Sequence, residues 1–447
     1  MSDKVVGMTN LSVIGTGYLG VTHAACMASL GHKVIALDVD PEKIASLNSG
    51  VVPFHEPELQ ELLNQALASG NLTFTTDWAE VAQAADVHFL CVGTPKSKDS
   101  DAADLSQVNG AIASLAVHLD RACLVVGKST VPVGTAQRLA DYLTANAPIG
   151  QQAHLAWNPE FLREGFAVQD TLHPDRIVIG ITESKDETKL REVYAASIAE
   201  GTPFITTDYA TAELVKVAAN SFLATKISFI NSFADLCDAA GADITQLADA
   251  IGHDTRIGRR FLNAGVGFGG GCLPKDIKAL HARAIELGLS EQFEFLANVG
   301  RVNQMRRELV VNRAAELVGG NLSGAKVVIL GAAFKPDSDD IRDSPALSVA
   351  RELAIQGAAV TVHDPIALPV VRRVHPDLHC EESIAEAVVG AQILIHLTEW
   401  KEYRELDPDS LGNLVADRVI IDGRNMLDRE KWTAAGWKIS FLGKPGS

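Results

Sequence analysis

The stretch LSVIGTGYLG, residues 11–20, decides the fold of the first part of the chain. Its apolar run predicts a strand, and Gly15, Gly17 and Gly20 match the G-x-G-x-x-G pattern that leads from a strand into a helix. The first glycine permits a tight turn, the second lets a pyrophosphate approach the backbone, and the third allows close helix packing. The next apolar run ends at Asp38. This stretch therefore predicts a strand, a helix and a second strand.

A carboxylate at position 38 would accept hydrogen bonds from the ribose hydroxyls of a dinucleotide and would repel a 2′-phosphate. The motif and its context together indicate NAD rather than NADP as the cofactor. The alternative is a glycine-rich turn between strand and helix that binds no ligand.

Short apolar runs alternate with helix-compatible segments at both ends of the chain. They lie at residues 11–14, 34–37, 87–92, 123–127, 176–180, 327–331, 359–365, 393–397 and 418–423. Residues 208–240 contain neither Gly nor Pro, which predicts one long helix that ends at Gly241. The predicted fold class is α/β, with two Rossmann-like doubly wound parallel-sheet domains joined by a helical middle domain. We place an NAD-binding domain at 1–205, a helical dimerisation domain at 206–320 and a second Rossmann-like domain at 321–447.

The composition excludes several classes of protein. Hydrophobic residues make up 47% of the chain and charged residues 21%, so a largely disordered chain is excluded. The 39 basic and 56 acidic residues give a net charge of −17, which disfavours nucleic acid and anionic membranes as partners. No apolar run approaches the roughly 20 residues of a membrane span. The opening residues lead into the first strand without the apolar core of a signal peptide, so we expect a cytoplasmic protein.

The cysteines are scattered along the chain without a CxxC pair or a His/Cys cluster at zinc spacing. They are Cys26, Cys91, Cys123, Cys237, Cys272 and Cys380. We therefore predict no metal site and a reducing compartment.

Cys272 has an unusual neighbourhood, GFGGGCLPKD at residues 267–276. Pro274 suits the first turn of a helix, which would put the thiol at a helix N-terminus. There the helix dipole and Lys275 would favour a reactive thiolate, and Asp276 could hold a base or a water near the sulfur. The alternative is a buried cysteine in a tight turn beside a solvated Lys-Asp pair.

Two other segments carry polar groups that could line a cleft. Lys216 and Asn220 lie four residues apart on the predicted long helix, hence on one face, although a solvated helix face is the alternative. Residues 158–165, NPEFLREG, follow a strand-like run, where open α/β sheets place ligands and catalytic groups. The alternative for this segment is an ordinary helix start.

In the last part of the chain, cations follow the predicted strands. Lys335, Arg342 and Arg424 could hold the phosphates of a second nucleotide. As isolated charges they would instead be ordinary surface residues.

Together these segments resemble the UDP-glucose/GDP-mannose dehydrogenase family over essentially the whole chain. The motifs that carry the resemblance are GTGYLG (15–20), VGTP (92–95), KSTVPVGT (128–135), NPEFLREG (158–165), the helix with Lys216 and Asn220, RIG (256–258), GFGGGCLPKD (267–276), FKP (334–336) and DGR (422–424). The resemblance implies oxidation of a sugar's primary alcohol to a carboxylate by two hydride transfers to NAD. It also implies a nucleotide-sugar substrate and a homodimer built on the long helix.

The resemblance further implies roles for individual residues. Cys272 would form a thiohemiacetal and then a thioester, Lys216 would stabilise the oxyanion and Asn220 would orient it. Catalysis would also involve Asp276, Glu160, Glu164 and Thr130. The implied NAD contacts are Gly15, Gly17, Tyr18, Leu19, Gly20, Asp38, Lys43, Thr94, Thr130, Glu164, Lys275 and Arg342. The implied substrate contacts are Glu160, Phe161, Leu162, Arg163, Lys216, Asn220, Phe268, Gly269, Phe334, Lys335, Arg424 and, from a neighbouring subunit, Arg256.

Three functions compete at this point. The sequence FLREGFAVQDTLHPDRIVIG resembles the UDP-glucose branch of the family, so oxidation of UDP-glucose is the leading hypothesis. A GDP-mannose dehydrogenase would use the same chemistry. A single-step NAD dehydrogenase or an NAD-binding regulator belongs to another class, but neither explains a Gly-flanked cysteine beside Lys-Asp.

Overall fold

A computed structural model describes residues 8–444 of the chain. The molecule divides into two compact units, Met1–Ala219 and Asn220–Ser447, each built around a β-sheet. The predicted long helix is confirmed as Tyr209–Ala240, and the boundary between the units falls inside it. The helix is followed by Gly241 with a φ of 71°. The expectation for the opening residues 1–7 lies outside the described residues, and the three domain boundaries stay a prediction.

The first unit contains one eight-stranded sheet. Its strands are β1 (Asn10–Ile14), β2 (Lys33–Leu37), β3 (Leu72–Thr75), β4 (Val87–Leu90), β5 (Cys123–Gly127), β6 (Ala153–Trp157), β7 (Ile177–Gly180) and β8 (Phe204–Thr207). Their order is β3-β2-β1-β4-β5-β6-β7-β8. The paired strands are parallel except β6 and β7, which meet antiparallel at Trp157 and Gly180. The predicted doubly wound sheet is therefore confirmed, with one reversed pair near an edge.

Helices connect these strands and cover both faces of the sheet. They are α1 (Tyr18–Ser29), α2 (Pro41–Asn48), α3 (Leu59–Ala68), α4 (Trp78–Ala84), α5 (Ser106–Ala116), α6 (Thr135–Asn146), a short 3-10 turn (Gly150–Gln152), α7 (Ala167–Leu172), α8 (Ser184–Val193), α9 (Ala195–Ala199) and the start of α10 (Tyr209–Ala240). β1 is apolar at successive positions because Val13 packs into one core and Ile14 into the core on the opposite face.

The second unit contains a six-stranded parallel sheet in the order β11-β10-β9-β12-β13-β14. Its strands are β9 (Lys326–Leu330), β10 (Ala359–His363), β11 (His379–Cys380), β12 (Ile393–His396), β13 (Val419–Asp422) and β14 (Lys438–Phe441). After α10 its helices are α11 (Ile244–Gly252), α12 (Leu273–Glu286), α13 (Ser290–Leu317), α14 (Pro345–Ile355), α15 (Leu368–Val374), α16 (Ile384–Ala387), α17 (Lys401–Arg404), α18 (Pro408–Gly412) and α19 (Arg429–Ala434). The second predicted Rossmann-like domain is thus confirmed.

Candidate active site

The glycine turn lies at the carboxyl end of β1, where the order of the sheet changes direction between β1 and β4. Gly15 has a φ of 94°, and a Cβ there would lie 2.8 Å from a methyl carbon of Val92. A Cβ at Gly20 would lie 1.8 Å from the carbonyl oxygen of Gly15. At Gly17, in contrast, a Cβ would meet no atom within 4 Å. This open face, directly before α1, fits the pyrophosphate of a dinucleotide.

Asp38 follows β2 and is held by four hydrogen bonds. Its Oδ2 accepts from Thr16 N at 2.9 Å, Thr16 Oγ1 at 2.7 Å and Lys43 Nζ at 2.8 Å. Its Oδ1 accepts from Asp40 N at 3.2 Å. Burial would raise the pKa of Asp38, but the hydrogen bonds from Lys43 and Thr16 outweigh burial and lower this pKa below its ordinary value. The carboxylate is therefore ionised at neutral pH, as ribose recognition requires.

Two predicted cofactor contacts follow the neighbouring strands β4 and β5. Thr94 Oγ1 donates to the carbonyl oxygen of Thr130 at 2.8 Å, so the two loops are joined. Ser129 Oγ donates to the carbonyl oxygen of Val92 at 2.7 Å and adds a second link. The structure thus places both threonines at the carboxyl edge of the sheet, beside the glycine turn.

Glu160 and Lys216, 56 residues apart in sequence, form an ion pair inside the first unit. Lys216 Nζ lies 3.1 Å from Glu160 Oε1, while Glu160 Oε2 accepts a hydrogen bond from Leu162 N at 2.5 Å. Lys216 Nζ also lies 5.6 Å from the centre of the Phe161 ring. Because only 4% of Lys216 is exposed, a solvated helix face is the wrong interpretation.

Arg163, a predicted substrate contact, braces its own loop. Its Nε and Nη2 donate to the two carboxylate oxygens of Asp170 at 2.9 and 2.6 Å, and its backbone N donates to Asp170 Oδ2 at 2.8 Å. The hydrogen bond to Asp170 raises the pKa of Arg163. In this arrangement the guanidinium stabilises the turn before α7.

Lys128, the first residue of the KSTVPVGT motif, was given no role by sequence analysis and lies buried behind this loop. Lys128 Nζ donates to Asn158 Oδ1 at 3.1 Å and to Tyr194 Oη at 3.4 Å, and Tyr194 Oη donates to Asn158 Oδ1 at 2.6 Å. The group therefore anchors the first residue of the NPEFLREG segment. A lysine directly after the apolar run of β5 was a signal for it, whereas nothing in the sequence pointed to Tyr194.

Cys272 is the N-cap residue of α12, and Pro274 lies in the first turn, as predicted. The thiol is exposed, so the interpretation as a buried cysteine is wrong. Four of the other cysteines are buried and one is half-buried: Cys26, Cys91, Cys123, Cys237 and Cys380. Burial raises the pKa of the Cys91 thiol to about 12, which makes it unreactive.

The glycines before Cys272 permit close packing against the loop that follows β9. A Cβ at Gly269 would lie 2.3 Å from the carbonyl oxygen of Asp343. Gly270 has a φ of 86°, and its Cβ would lie 2.8 Å from the Phe334 ring. At Gly271 a Cβ would lie 2.3 Å from the guanidinium carbon of Arg342. A Cβ at Gly269 or Gly270 would collide with a backbone carbonyl or an aromatic ring, whereas at Gly271 the flexible Arg342 side chain could move aside.

A polar face of α13 fixes the backbone of the same glycine-rich segment. Asn303 Oδ1 accepts from Phe268 N at 2.8 Å, and Asn303 Nδ2 and Arg307 Nη2 donate to the Phe268 carbonyl at 2.9 and 3.1 Å. Arg306 Nε donates to the Gly265 carbonyl at 3.0 Å. Sequence analysis missed these side chains, although polar residues at helical spacing within α13 were a signal.

Asp276 is the centre of a buried chain of polar groups in the second unit. Its Oδ2 accepts from Asn220 Nδ2 at 2.6 Å, and its Oδ1 lies 2.7 Å from Lys275 Nζ. Its backbone N donates to the Cys272 carbonyl at 2.9 Å. The residues predicted to accompany Cys272 are thus brought together, with Lys275 paired to Asp276.

Arg424 joins three loops of the second unit. Its guanidinium donates to the carbonyl oxygens of Leu397 at 2.6 Å, Gly267 at 3.0 Å and Phe334 at 3.3 Å. It also lies 3.2 Å from Glu399 Oε2. This predicted substrate contact therefore connects the cysteine segment to the carboxyl ends of β9 and β12.

The remaining predicted cations have local partners. Arg342 donates to both carboxylate oxygens of Asp340 at 2.8 Å, and Lys335 Nζ lies 5.2 Å from the Phe334 ring centre. The Arg256 side chain is 87% exposed and lies 2.6 Å from Asp254. The structure leaves the predicted role of Arg256 in a neighbouring subunit as a prediction.

Within residues 8–444 no cluster of three or more His, Cys, Asp or Glu side chains could hold a metal ion. The helices of the same described range include none with both the length and the apolarity needed to cross a membrane.

Family models match most of the chain. Residues 9–198 match the NAD binding domain of the UDP-glucose/GDP-mannose dehydrogenase family, 210–305 match its central domain and 328–429 match its UDP binding domain. The order of the three matches is that of the motifs in the sequence.

Individual relatives are similar over nearly the whole chain. A UDP-glucose 6-dehydrogenase of Rickettsia felis is 41% identical over 97% of this chain and 96% of its own length. UDP-glucose 6-dehydrogenase TuaD of Bacillus subtilis is 39% identical over 98% of this chain and 94% of its own length. The solved structure of a UDP-glucose dehydrogenase from the archaeon Pyrobaculum islandicum aligns with a TM-score of 0.91 at 38% identity, covering 99% of this chain and 100% of the other.

Proposed function

The chain belongs to the UDP-glucose/GDP-mannose dehydrogenase family and is an NAD-dependent oxidoreductase, and we propose that it oxidises UDP-glucose to UDP-glucuronate. The observation that carries this proposal is the exposed Cys272 at the N-cap of α12, in a segment where close packing restricts positions 269 and 270 to glycine. The names of the most similar relatives support UDP-glucose as the substrate over GDP-mannose.

The net reaction requires two oxidations at one carbon. When bound, NAD accepts one hydride in each oxidation. The first oxidation converts the primary alcohol into an aldehyde. The Cys272 thiolate then adds to the aldehyde carbon and forms a thiohemiacetal, which has a hydrogen that can leave as hydride. The second oxidation gives a thioester, and water releases the carboxylate and regenerates the thiolate.

Charged residues of the first unit would assist the proton transfers and stabilise the oxyanion. Lys216 has a buried ammonium group, which would stabilise negative charge on the substrate oxygen in both tetrahedral intermediates. Glu160, paired with Lys216, or Glu164 would assist proton transfer or thioester hydrolysis. Thr130 would lie near the nicotinamide.

The polar chain of the second unit would act beside Cys272. Asn220 and Lys275 both bond to Asp276, which leaves this carboxylate ordered and able to position a base or a water. Asn220 would also orient the oxyanion. Lys335 would supply positive charge to the diphosphate, and Arg424 would support the site by holding its loops together.

We also propose a homodimer formed through α10. Phe222, Phe229 and Leu236 are 66%, 48% and 59% exposed. Their spacing of seven residues puts them on one stripe of the helix, and an exposed apolar stripe favours a partner surface. A second copy of the chain is the occupant we propose, with Arg256 donated to the neighbouring substrate site. Buried free thiols support a reducing compartment, for which we propose the cytoplasm.

The yield of NADH per sugar consumed tests the proposal, with UDP-glucose and GDP-mannose assayed in parallel. We expect two NADH per UDP-glucose and no turnover of GDP-mannose at the same concentration. One NADH per sugar would indicate a single-step dehydrogenase, and turnover of GDP-mannose alone would indicate the other branch. NAD binding without turnover of either sugar would indicate a regulator.

A further inference from the structure

Glu56 is a buried carboxylate in the segment between α2 and α3, and only 6% of it is exposed. It accepts a hydrogen bond from the hydroxyl of Tyr18. It also accepts hydrogen bonds from the backbone N of Gly165 at 2.6 Å and of Ala167 at 2.7 Å. Three donors from two distant parts of the first unit therefore converge on one carboxylate.

The two parts joined by Glu56 are both functional in the proposed enzyme. Tyr18 is the first residue of α1 and follows Gly17 of the glycine turn. Gly165 follows Glu164 and ends the NPEFLREG loop with a φ of 77°. The Gly165 N–H also lies 3.0 Å from the Tyr18 hydroxyl oxygen, which closes the arrangement. The Tyr18 ring packs against Phe54 at 4.9 Å between ring centres, so the hydroxyl is held in place.

We propose that Glu56 is a positioning residue, which fixes the end of the loop bearing Glu160 and Glu164 against the helix that begins at the dinucleotide turn. The inference rests on the proposed function, because that function gives the loop its role in proton transfer. Burial and the hydrogen bond to Glu56 raise the pKa of Tyr18, so the phenol stays protonated and donates. A glycine at the end of the loop has several backbone conformations available, and the carboxylate selects one of them.

An amide cannot replace this carboxylate. Glutamine at position 56 would keep one acceptor oxygen in place of two and would direct an NH2 group at a backbone N–H that is itself a donor. At least one of the two backbone N–H groups, of Gly165 or of Ala167, would lose its hydrogen bond to residue 56, which loosens the loop. Glu56→Gln is therefore the informative variant, because it conserves the size of the side chain. Glu58→Gln is the matched control, since Glu58 bonds to the exposed Gln169 side chain on the surface nearby.

The experiment measures kcat per NAD-binding site, with the sites counted by calorimetry. We expect Glu56→Gln to lower kcat per site roughly tenfold or more, because small misplacements of catalytic groups have effects of that size. The dissociation constant of NAD should stay within about threefold, because the glycine turn and Asp38 are intact. Tyr18→Phe should lower kcat per site in the same way, and the double variant should lose less than the product of the single losses. Glu58→Gln should behave as wild type.

A purely structural role would lower the number of NAD-binding sites and leave kcat per site unchanged, and that result would overturn the inference. Multiplicative effects of Glu56→Gln and Tyr18→Phe would overturn the shared action of the two residues. Hydrogen exchange of the backbone amides at 165–167 gives a readout that needs no substrate. Faster exchange in Glu56→Gln supports the conclusion that Glu56 fixes the end of the loop, even if wild type fails to oxidise UDP-glucose. Unchanged exchange contradicts that conclusion.

Discussion

Lys128 is a buried cation whose hydrogen bonds go to an amide oxygen and a phenol. Its ammonium group also lies 5.8 Å from the centre of the Phe89 ring and 5.9 Å from that of Tyr194. Burial lowers the pKa of Lys128 below its ordinary value. Burial of this lysine therefore destabilises the fold. Its hydrogen bond fixes Asn158, which lies at the start of the loop that carries Glu160.

We predict that Lys128→Met removes one contribution to the pH dependence of the free energy of unfolding. Between the lowered pKa and the ordinary value near 10.4, the unfolded chain binds a proton that the folded chain does not, so the free energy of unfolding of wild type rises with pH. This gain is absent in Lys128→Met, while other titrating groups cancel in the comparison. Urea unfolding between pH 7 and 10 should thus show that the free energy of unfolding of wild type rises relative to that of the variant. A difference in the free energy of unfolding that stays constant with pH would contradict the prediction.

The same variant should lose activity at neutral pH. Without the ammonium group, Asn158 loses a hydrogen bond and the loop shifts, so we expect kcat to fall roughly tenfold. Steady-state NADH formation measures this loss, and wild-type kcat in Lys128→Met would show that Asn158 needs no anchor.

Cys272 gives the second prediction at the scale of a residue. Cys272→Ser should still permit the first hydride transfer, but an alkoxide is a poorer leaving group than a thiolate, so an ester-like adduct should remain on the protein. Cys272→Ala should lose overall turnover without any adduct. Intact-protein mass spectrometry after incubation with UDP-glucose and NAD separates these outcomes. Near-normal UDP-glucuronate formation by the alanine variant would make Cys272 a structural residue.

The turn between β1 and α1 gives a prediction for an element. Gly17→Ala adds a Cβ to open space, so the melting temperature should stay within about 2 °C, while the pyrophosphate loses its approach and NAD binds roughly 100-fold more weakly. Gly20→Ala is the contrasting variant, because its Cβ would overlap the Gly15 carbonyl and the fold itself should fail. Thermal melts and calorimetry measure both. Unchanged NAD affinity in Gly17→Ala would refute the pyrophosphate assignment.

The elements could be predicted from sequence because their signals are local. Glycines of defined spacing, Asp38 at the end of a strand and the uninterrupted residues 208–240 each depend on near neighbours. The contacts of Glu56 could not be predicted, because Gly165 lies 109 residues away and its backbone N carries no sequence signal. Asn303 was missed for the same reason, since it holds Phe268 35 residues earlier.

At the scale of the whole molecule, the proposed dimer makes each substrate site depend on two chains. Arg256 is exposed and its own unit supplies one carboxylate, Asp254, as its ion-pair partner. If Arg256 acts in the neighbouring subunit, then Cys272 and Arg256 of one site come from different chains. Sedimentation should show a dimer, and Phe229→Glu on the α10 stripe should weaken it, because a buried unpaired charge opposes association.

Mixed dimers test this arrangement directly. Cys272→Ala and Arg256→Ala homodimers should each be nearly inactive. Coexpression with two affinity tags yields dimers with one chain of each kind, in which one site combines an intact Cys272 with an intact Arg256. Such dimers should recover about half of the wild-type activity. Mixed dimers of wild type and Cys272→Ala control for the tags and should also show about half of the wild-type activity. If Arg256 instead acts within its own chain, both sites of the first mixed dimer lack a required group, and it should be as inactive as its parents.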